Sequence, residues 1–327
     1  MKPHIDFESL KPGELQKLLS QIQKPSEETL FLRAGLEPVL KEFMAFVAKS
    51  REAVRQRLES IGGLKLERHM SFDYDPKAEN MRFLKETWDA QSDIWALIET
   101  MPTYYITMLT LLEKIQIPRD KHLRLVSIGT GPGLYETFLG KLFGQKGIGG
   151  VTTCVDFSKG MTDMHKFILS LQQQPIRNVE PITANMAQLP LPDKSADVVL
   201  CNNSLQWCPD WRKAIAEMAR ILDPSRNPFA FFVVHTHGNA MKMGTTTGEE
   251  PPVKLETITT SQIFDELERN MFTINTSRQL RGSQGTGQLN GTVHRQFITT
   301  QLTPEGLKHR WRKTKPTVGE AHMIRVR

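Results

Sequence analysis

Apolar residues in the first third of the chain recur at spacings of three and four, the period of a helix buried on one side. Leu15–Ile22 and Leu36–Ile61 read as helices, the second stopped by Gly62-Gly63. After Pro76 an amphipathic pattern resumes over Met81–Ile98, carried by Phe83, Leu84, Trp88, Ile94, Trp95 and Ile98. Pro102 opens a further helix that runs through Leu112 and ends before Pro118. At Leu123 the texture changes. Leu123–Ile128, Val151–Val155, Ala196–Cys201 and Phe229–Val234 are short apolar runs of strand type, separated by helical stretches. Strand alternating with helix predicts an α/β fold, a doubly wound and mostly parallel sheet with helices on both faces. After His237 a Gly/Thr/Pro-rich loop reaches Pro252, a helix follows near Ser261–Arg269, and strand-like runs continue to His322–Val326. Two parts are expected: a helical cover over residues 1–120 and the sheet domain over residues 121–327.

The junction of the first strand with the next helix holds the first chemical signal. Leu125-Val-Ser-Ile-Gly129-Thr-Gly131-Pro-Gly133-Leu134 is a strand, a glycine turn and a helix start. Glycines there let the backbone turn sharply and let a ligand approach without a Cβ in the way. Alone this is weak, because dinucleotide sites use Gly-x-Gly-x-x-Gly at the same place. Here Leu134 holds the third position of that fingerprint and the extra glycine falls one residue early, at Gly133. The variant suits a ligand with adenosine and an amino acid but no pyrophosphate. Asp156, at the tip of the second strand, lies 23 residues beyond Gly133, the reach of one helix and a returning strand. An acid at that tip accepts the hydroxyls of a ribose, or else caps the following helix.

Composition narrows the class. Apolar residues make up 39% of the chain and charged residues 24%, which places it among globular proteins. No window approaches 18 consecutive apolar residues, so no membrane span is expected. The first residues, acidic and without an apolar core, do not read as a signal peptide. Cys154, Cys201 and Cys208 are too few and scattered for a disulfide framework, and a reducing, cytoplasmic setting fits. The net charge of +6 is concentrated late: ten bases from Arg278 to Arg327 face only Glu305 and Glu320. Such a tail suits nucleic acid, a phosphorylated substrate or an acidic carrier protein, or is simply a solvated face. Trp311 is the only Phe, Trp or Tyr of its densest basic run, Lys308–Lys315, where stacking on single-stranded nucleic acid uses several.

From Leu123 to about Pro224 the chain resembles the class I, Rossmann-like methyltransferases that use S-adenosylmethionine, in particular their small-molecule group. The resemblance rests on the glycine loop, the strand-tip acid and the run Asn185-Met-Ala-Gln-Leu189-Pro190-Leu-Pro192-Asp193-Lys-Ser195-Ala-Asp197. Val-Val-Leu-Cys201-Asn202-Asn203-Ser204-Leu205-Gln206-Trp207-Cys208 and the helix Ala214–Leu222 extend it. The Leu-Gln-Trp-Cys stretch is most similar to malonyl-carrier-protein O-methyltransferases. The resemblance implies that S-adenosylmethionine is held by Gly129, Thr130, Gly131, Gly133, Asp156, Phe157, Asn185, Met186 and Asn202. Two departures stand out. The family places an acid two residues before the first loop glycine, where this chain has Ser127. The acceptor for the adenine amino group is usually Asp and here is Asn185, whose side-chain oxygen still accepts.

Methyl transfer from a sulfonium is an in-line displacement, so the protein chiefly aligns the reactants and excludes water. His235, leaving strand five, is a weak candidate for a base; the alternative is a polar strand end. Gln206 and Trp207 are candidates for the substrate wall, as are Tyr104 and Tyr105 where this group folds a lid helix. Trp88, Trp95, Tyr104 and Tyr105 cluster beside the domain boundary. No metal site is expected. The expected acceptor is a small molecule or a carrier-bound group. An RNA methyltransferase using the basic segment is the alternative, although the Pro-Pro-aromatic tetrad of base-amino methylases is replaced by Asn202-Asn203-Ser204-Leu205. A non-catalytic assembly or regulatory protein that keeps the cofactor pocket is the third reading.

Overall fold

The computed structural model describes residues 33–60, eight residues between 88 and 118, and residues 119–226, 228–237, 258–284 and 291–302. A long helix α1 (Arg33–Ser60) precedes β1 (Leu125–Ile128), α2 (Leu134–Gln145), β2 (Thr152–Asp156), α3 (Lys159–Ser170) and β3 (Val179–Thr183). β4 (Val198–Asn202), a short turn of 3-10 helix (Leu205–Trp207), α4 (Trp211–Ile221) and β5 (Phe229–His237) follow. α5 (Thr260–Arg269) and the hairpin β6 (Phe272–Gln284) and β7 (Gly291–Leu302) complete the described elements. The expected strand His322–Val326 and helix Leu15–Ile22 lie outside the described residues.

One seven-stranded sheet joins them in the order β3-β2-β1-β4-β5-β7-β6. β1 to β5 run parallel, and β7 returns antiparallel to β5 and to β6. The alternation of side chains along each strand explains why the parallel strands read as unbroken apolar runs. Leu125, Val198, Leu200 and Phe231 point into one core, filled by α1, α2 and α3. Val126, Ile128, Val199, Cys201, Phe232 and Val234 point into the other, filled by α4 and α5. Both faces are covered, so both sets must be apolar. β3 departs from this rule: it is an edge strand, half exposed, and contains Glu180 and Pro181. Proline is tolerated there because an edge strand can spare a ladder donor.

α1 buries Val39, Phe43, Phe46, Val47, Val54 and Leu58, a stripe at helical spacing, against the sheet domain. Phe43 meets Tyr135 and Phe138 of α2 at ring separations of 5.7 and 5.0 Å, and Lys141 pairs with Glu42 at 2.7 Å. Thr259 opens α5 with a reciprocal capping box to Gln262. At the amino end of the sheet, the buried Asp197 accepts bonds from the Arg124 backbone N–H (2.9 Å), the Arg124 guanidinium (2.5 Å) and Arg226 Nε (2.9 Å). That knot ties the start of β1 to the start of β4, on the edge opposite the cavity described next. Among the described residues no helix is long and apolar enough to cross a membrane.

Candidate functional site

The glycine loop is strapped to β2 by backbone bonds. Gly129 and Thr130 both donate to the Val155 carbonyl, at 2.7 and 3.2 Å, and Gly131 N–H donates to Asp156 Oδ2 at 2.7 Å. Gly129 has a φ of 64°, and a Cβ on it would come within 2.2 Å of the Ser204 side chain. Ser204 in turn donates to the Ile128 carbonyl at 2.9 Å, so the loop and the turn after β4 are clasped together. Gly133, at φ 71°, caps α2 and lies against the imidazole of His165 on α3; a Cβ there would sit 2.1 Å from Nδ1. The ring is fully buried and its Nε2 pairs with Thr137 Oγ1 at 3.1 Å.

Asp156 uses both oxygens on backbone: Oδ2 for Gly131 and Oδ1 for the N–H of Ser158, at 2.8 Å. Burial pushes its carboxyl up to about 6 despite those bonds, with the Asp89 carboxylate adding to the effect. The residue that caps α3 is Ser158, not Asp156; its Oγ accepts from Met161 N–H. Asp89, from the segment that precedes the sheet domain, completes the cap. It accepts from Ser158 Oγ at 2.5 Å and from Gly160 N–H at 2.7 Å. A carboxylate at a helix N-terminus satisfies free N–H groups and complements the dipole. This contact sets the neighbouring Trp88 over the carboxyl edge of the sheet. Its ring meets Trp207 edge-on, with centroids 5.1 Å apart and planes at 78°.

Glu136, in the first turn of α2, is the unexpected member. Ser127 Oγ on β1 donates to its Oε1 at 2.6 Å, while its Oε2 is buried without a hydrogen-bond partner. Burial pushes this carboxyl up to about 7, and the nearby Asp156 contributes.

These groups surround one cavity of about 880 Å³ including its mouth, at the carboxyl ends of β1, β2 and β4. That is the place expected of a small-ligand site in an open α/β sheet. Gly129, Thr130, Gly131, Asp156, Phe157, Asn185, Met186, Asn202 and Trp207 line it, all named from the sequence. Gly133 and Gln206 do not. The glycine packs on His165, and Gln206 turns its Nε2 to the Asn203 carbonyl at 2.8 Å. Asn185 Oδ1 already accepts from Ala187 N–H at 2.9 Å, which leaves one lone pair for a ligand. The backbone of His235 lies in β5 opposite Arg295 of β7; its side chain, and Tyr104 and Tyr105, lie outside the described residues. Sequence reasoning missed Ser127, Tyr135, Glu136, Met161 and Cys208 as cavity wall, and it placed Trp88 only as one of four boundary aromatics. Buried acceptors without partners on the wall are Glu136 Oε2, Asn202 Oδ1 and Asn203 Oδ1, and the described lining residues include no Lys, Arg or His. A ligand rich in donors and positive charge fits such a wall. Among the described residues no group of three or more His, Cys, Asp or Glu is arranged to hold a metal ion.

Residues 126–225, which carry the loop, the acid and the turn after β4, match the methyltransferase domain family. This chain carries a class I methyltransferase domain. A malonyl-[acyl-carrier protein] O-methyltransferase of Buchnera aphidicola is 36% identical to this chain over 77 residues, which cover 24% of this chain and 28% of that protein. A demethylmenaquinone methyltransferase of Listeria welshimeri is 35% identical over 75 residues, 23% of this chain and 31% of that protein. Each match thus spans less than a third of the relative's length. Among solved structures, geranyl diphosphate C-methyltransferase from Streptomyces coelicolor shares the fold, with a TM-score of 0.50 and 12% identity over 70% of this chain and 100% of that one.

Proposed function

We propose that the methyltransferase domain binds S-adenosylmethionine in this cavity and transfers its methyl group to a small-molecule or carrier-bound acceptor. One observation carries the reading: the glycine loop and Asp156 are locked together at the carboxyl edge of the sheet, on a wall that holds the unpartnered buried acceptors Glu136 Oε2, Asn202 Oδ1 and Asn203 Oδ1. S-adenosylmethionine brings ribose hydroxyls, an adenine amino group, an ammonium and a sulfonium, each suited to such a wall. When bound, it supplies a methyl group on a good leaving group. Asp156 keeps spare lone pairs for ribose hydroxyls after binding Gly131 and Ser158, and those two N–H groups hold its orientation. Gly129, Thr130, Phe157, Asn185, Met186 and Asn202 complete the cofactor set, and Gly133 shapes the loop from behind through its packing on His165. Trp88 and Trp207 close the mouth and keep water from the reacting centre.

Tyr104 and Tyr105 are assigned to the acceptor side with Trp207, Gln206 bracing the turn behind Trp207 through the Asn203 carbonyl, and His235 stands as a candidate base. Residues 1–120 are assigned as cover and residues 121–327 as the catalytic domain. The names of the two relatives, one acting on a carrier-bound malonyl group and one on demethylmenaquinone, support an acceptor of this class. Calorimetry with S-adenosylhomocysteine and with NAD tests the cofactor: heat with the first and none with the second is expected, and the reverse overturns the reading. Incubation with tritiated methyl donor and a cell extract tests the acceptor. Label is expected in small molecules or acyl carriers, and label in RNA alone refutes that part.

A further inference from the structure

We propose that Glu136 is the anionic anchor for the ammonium of the cofactor's amino-acid end, a binding residue supplied by α2 where β1 offers only Ser127. This rests on the reading that S-adenosylmethionine occupies the cavity, and it adds which side chain meets the positive end.

A carboxylate that is 4% exposed, with one oxygen lacking any partner, is costly unless something cationic or donating meets it. Nothing among the described residues does so. Ser127 Oγ has a single proton, already given to Oε1 at 2.6 Å, and it serves to orient the carboxyl group. Asp156 faces Glu136 from β2 and adds a second negative charge to the same wall, and the Cys154 thiol on β2 also feels the Glu136 charge. No Lys, Arg or His among the described lining residues offsets them. The cavity is therefore built around negative charge. Glu136 lines the cavity together with Gly129, Gly131 and Asp156.

A cationic ligand makes that arrangement favourable with the carboxyl ionised. With Asp156 taken by the nucleoside, the cationic groups of S-adenosylmethionine that remain are its sulfonium and its ammonium, and of these the ammonium alone has N–H groups to donate to Oε2. A carboxylate-to-ammonium hydrogen bond is charge-assisted and strong where water is excluded. The first turn of α2 also suits the group, because an acid near a helix N-terminus is favoured while it waits for the ligand. Burial leaves the empty site poised near neutral pH, so that the ligand's ammonium decides the protonation state.

The test compares two ligands on wild type and Glu136→Gln. S-adenosylhomocysteine has the amino-acid end, whereas 5′-methylthioadenosine keeps the nucleoside thioether and lacks it. Glu136→Gln should weaken S-adenosylhomocysteine by about 10- to 100-fold, as expected for a lost charge-assisted bond, and leave methylthioadenosine within about twofold. Equal affinity of both proteins for S-adenosylhomocysteine, or equal loss of both ligands, overturns the proposal. Wild type that binds neither ligand overturns the cofactor reading as well, so the two failures are told apart. If the variant does not fold, wild type still decides. The ratio of the two affinities cancels the contribution of Asp156, which both ligands share. It should rise about tenfold in favour of S-adenosylhomocysteine from pH 6 to pH 8, because Glu136 ionises near 7. A flat ratio refutes the anchor.

Discussion

Gly133→Ala separates a packing role from a ligand role. The residue sits in the left-handed region at φ 71°, where a Cβ costs about 1 kcal/mol. That Cβ would lie 2.1–2.2 Å from three atoms of the His165 ring, so the ring must move. His165 is fully buried and held at Thr137, and forced repacking in a filled core costs about 1–3 kcal/mol. Gly133→Ala should therefore destabilise the protein by roughly 2–4 kcal/mol in all. His165→Ala alone should lose about 2–4 kcal/mol through its cavity. In the double variant the new methyl occupies part of that cavity and the clash is gone, while the strain at φ remains. The pair should thus cost less than the two single changes together by about 1–3 kcal/mol. Denaturant titrations of the four proteins measure this coupling. Burial holds the imidazole pKa down near 3, so it is neutral at working pH and the coupling should match at pH 6 and pH 8. Additivity within about 0.5 kcal/mol refutes the packing account. So does a Gly133→Ala protein of full stability whose ligand affinity alone has dropped.

Asp156→Ala should cost about 2–4 kcal/mol of S-adenosylhomocysteine binding, because it removes the ribose acceptor and frees Gly131 N–H; unchanged affinity by calorimetry would reduce Asp156 to a loop strap. Asp197→Ala leaves Arg124 and Arg226 facing one another at the far edge of the sheet. It should lower stability by about 2–4 kcal/mol, the guanidiniums being partly exposed, with ligand affinity within about twofold; a large loss of affinity at full stability contradicts this. Glu136, raised from 4.5 to about 7 by burial, binds more protons folded than unfolded between those values, so it lowers stability as pH rises through them. At about 1.4 kcal/mol per pH unit the effect is on the order of 3 kcal/mol; Asp156 adds the same sign from 3.8 to about 6. Melting of the ligand-free protein should fall from pH 5 to pH 8 and Glu136→Gln should flatten that slope; parallel curves for the two proteins count against the assignment.

The parts of the fold legible in the sequence are those whose environment is uniform. β1, β2, β4 and β5 are apolar on both faces because helices cover both, and so they appear as short dense runs. α5 carries its own start signal in Thr259 and Gln262. β3 was missed because an edge strand needs only half that burial and tolerates Glu180 and Pro181. β5 runs three residues past its apolar stretch, to His237, because β7 supplies partners there; nothing local to His235 foretells that pairing.

The cavity shows the same division at finer scale. Gly129, Gly131 and Asp156 are legible because a turn and a strand tip are set by local spacing. Glu136 is not, although it stands nine residues from Ser127. Read position by position, the chain lacks the acid that the family places before the loop, and Glu136 passes for an ordinary acid in a helix's first turn. The wall requires negative charge at a point in space, and a strand residue or a residue on the following helix can bring it there. Ser127 makes the exchange workable. A second carboxylate at that position would repel Glu136 across a distance that now holds a 2.6 Å hydrogen bond, whereas a hydroxyl fixes it. A motif compared column by column registers such an exchange as a loss. Only the packing of α2 against β1 shows that the charge has moved one element along the chain.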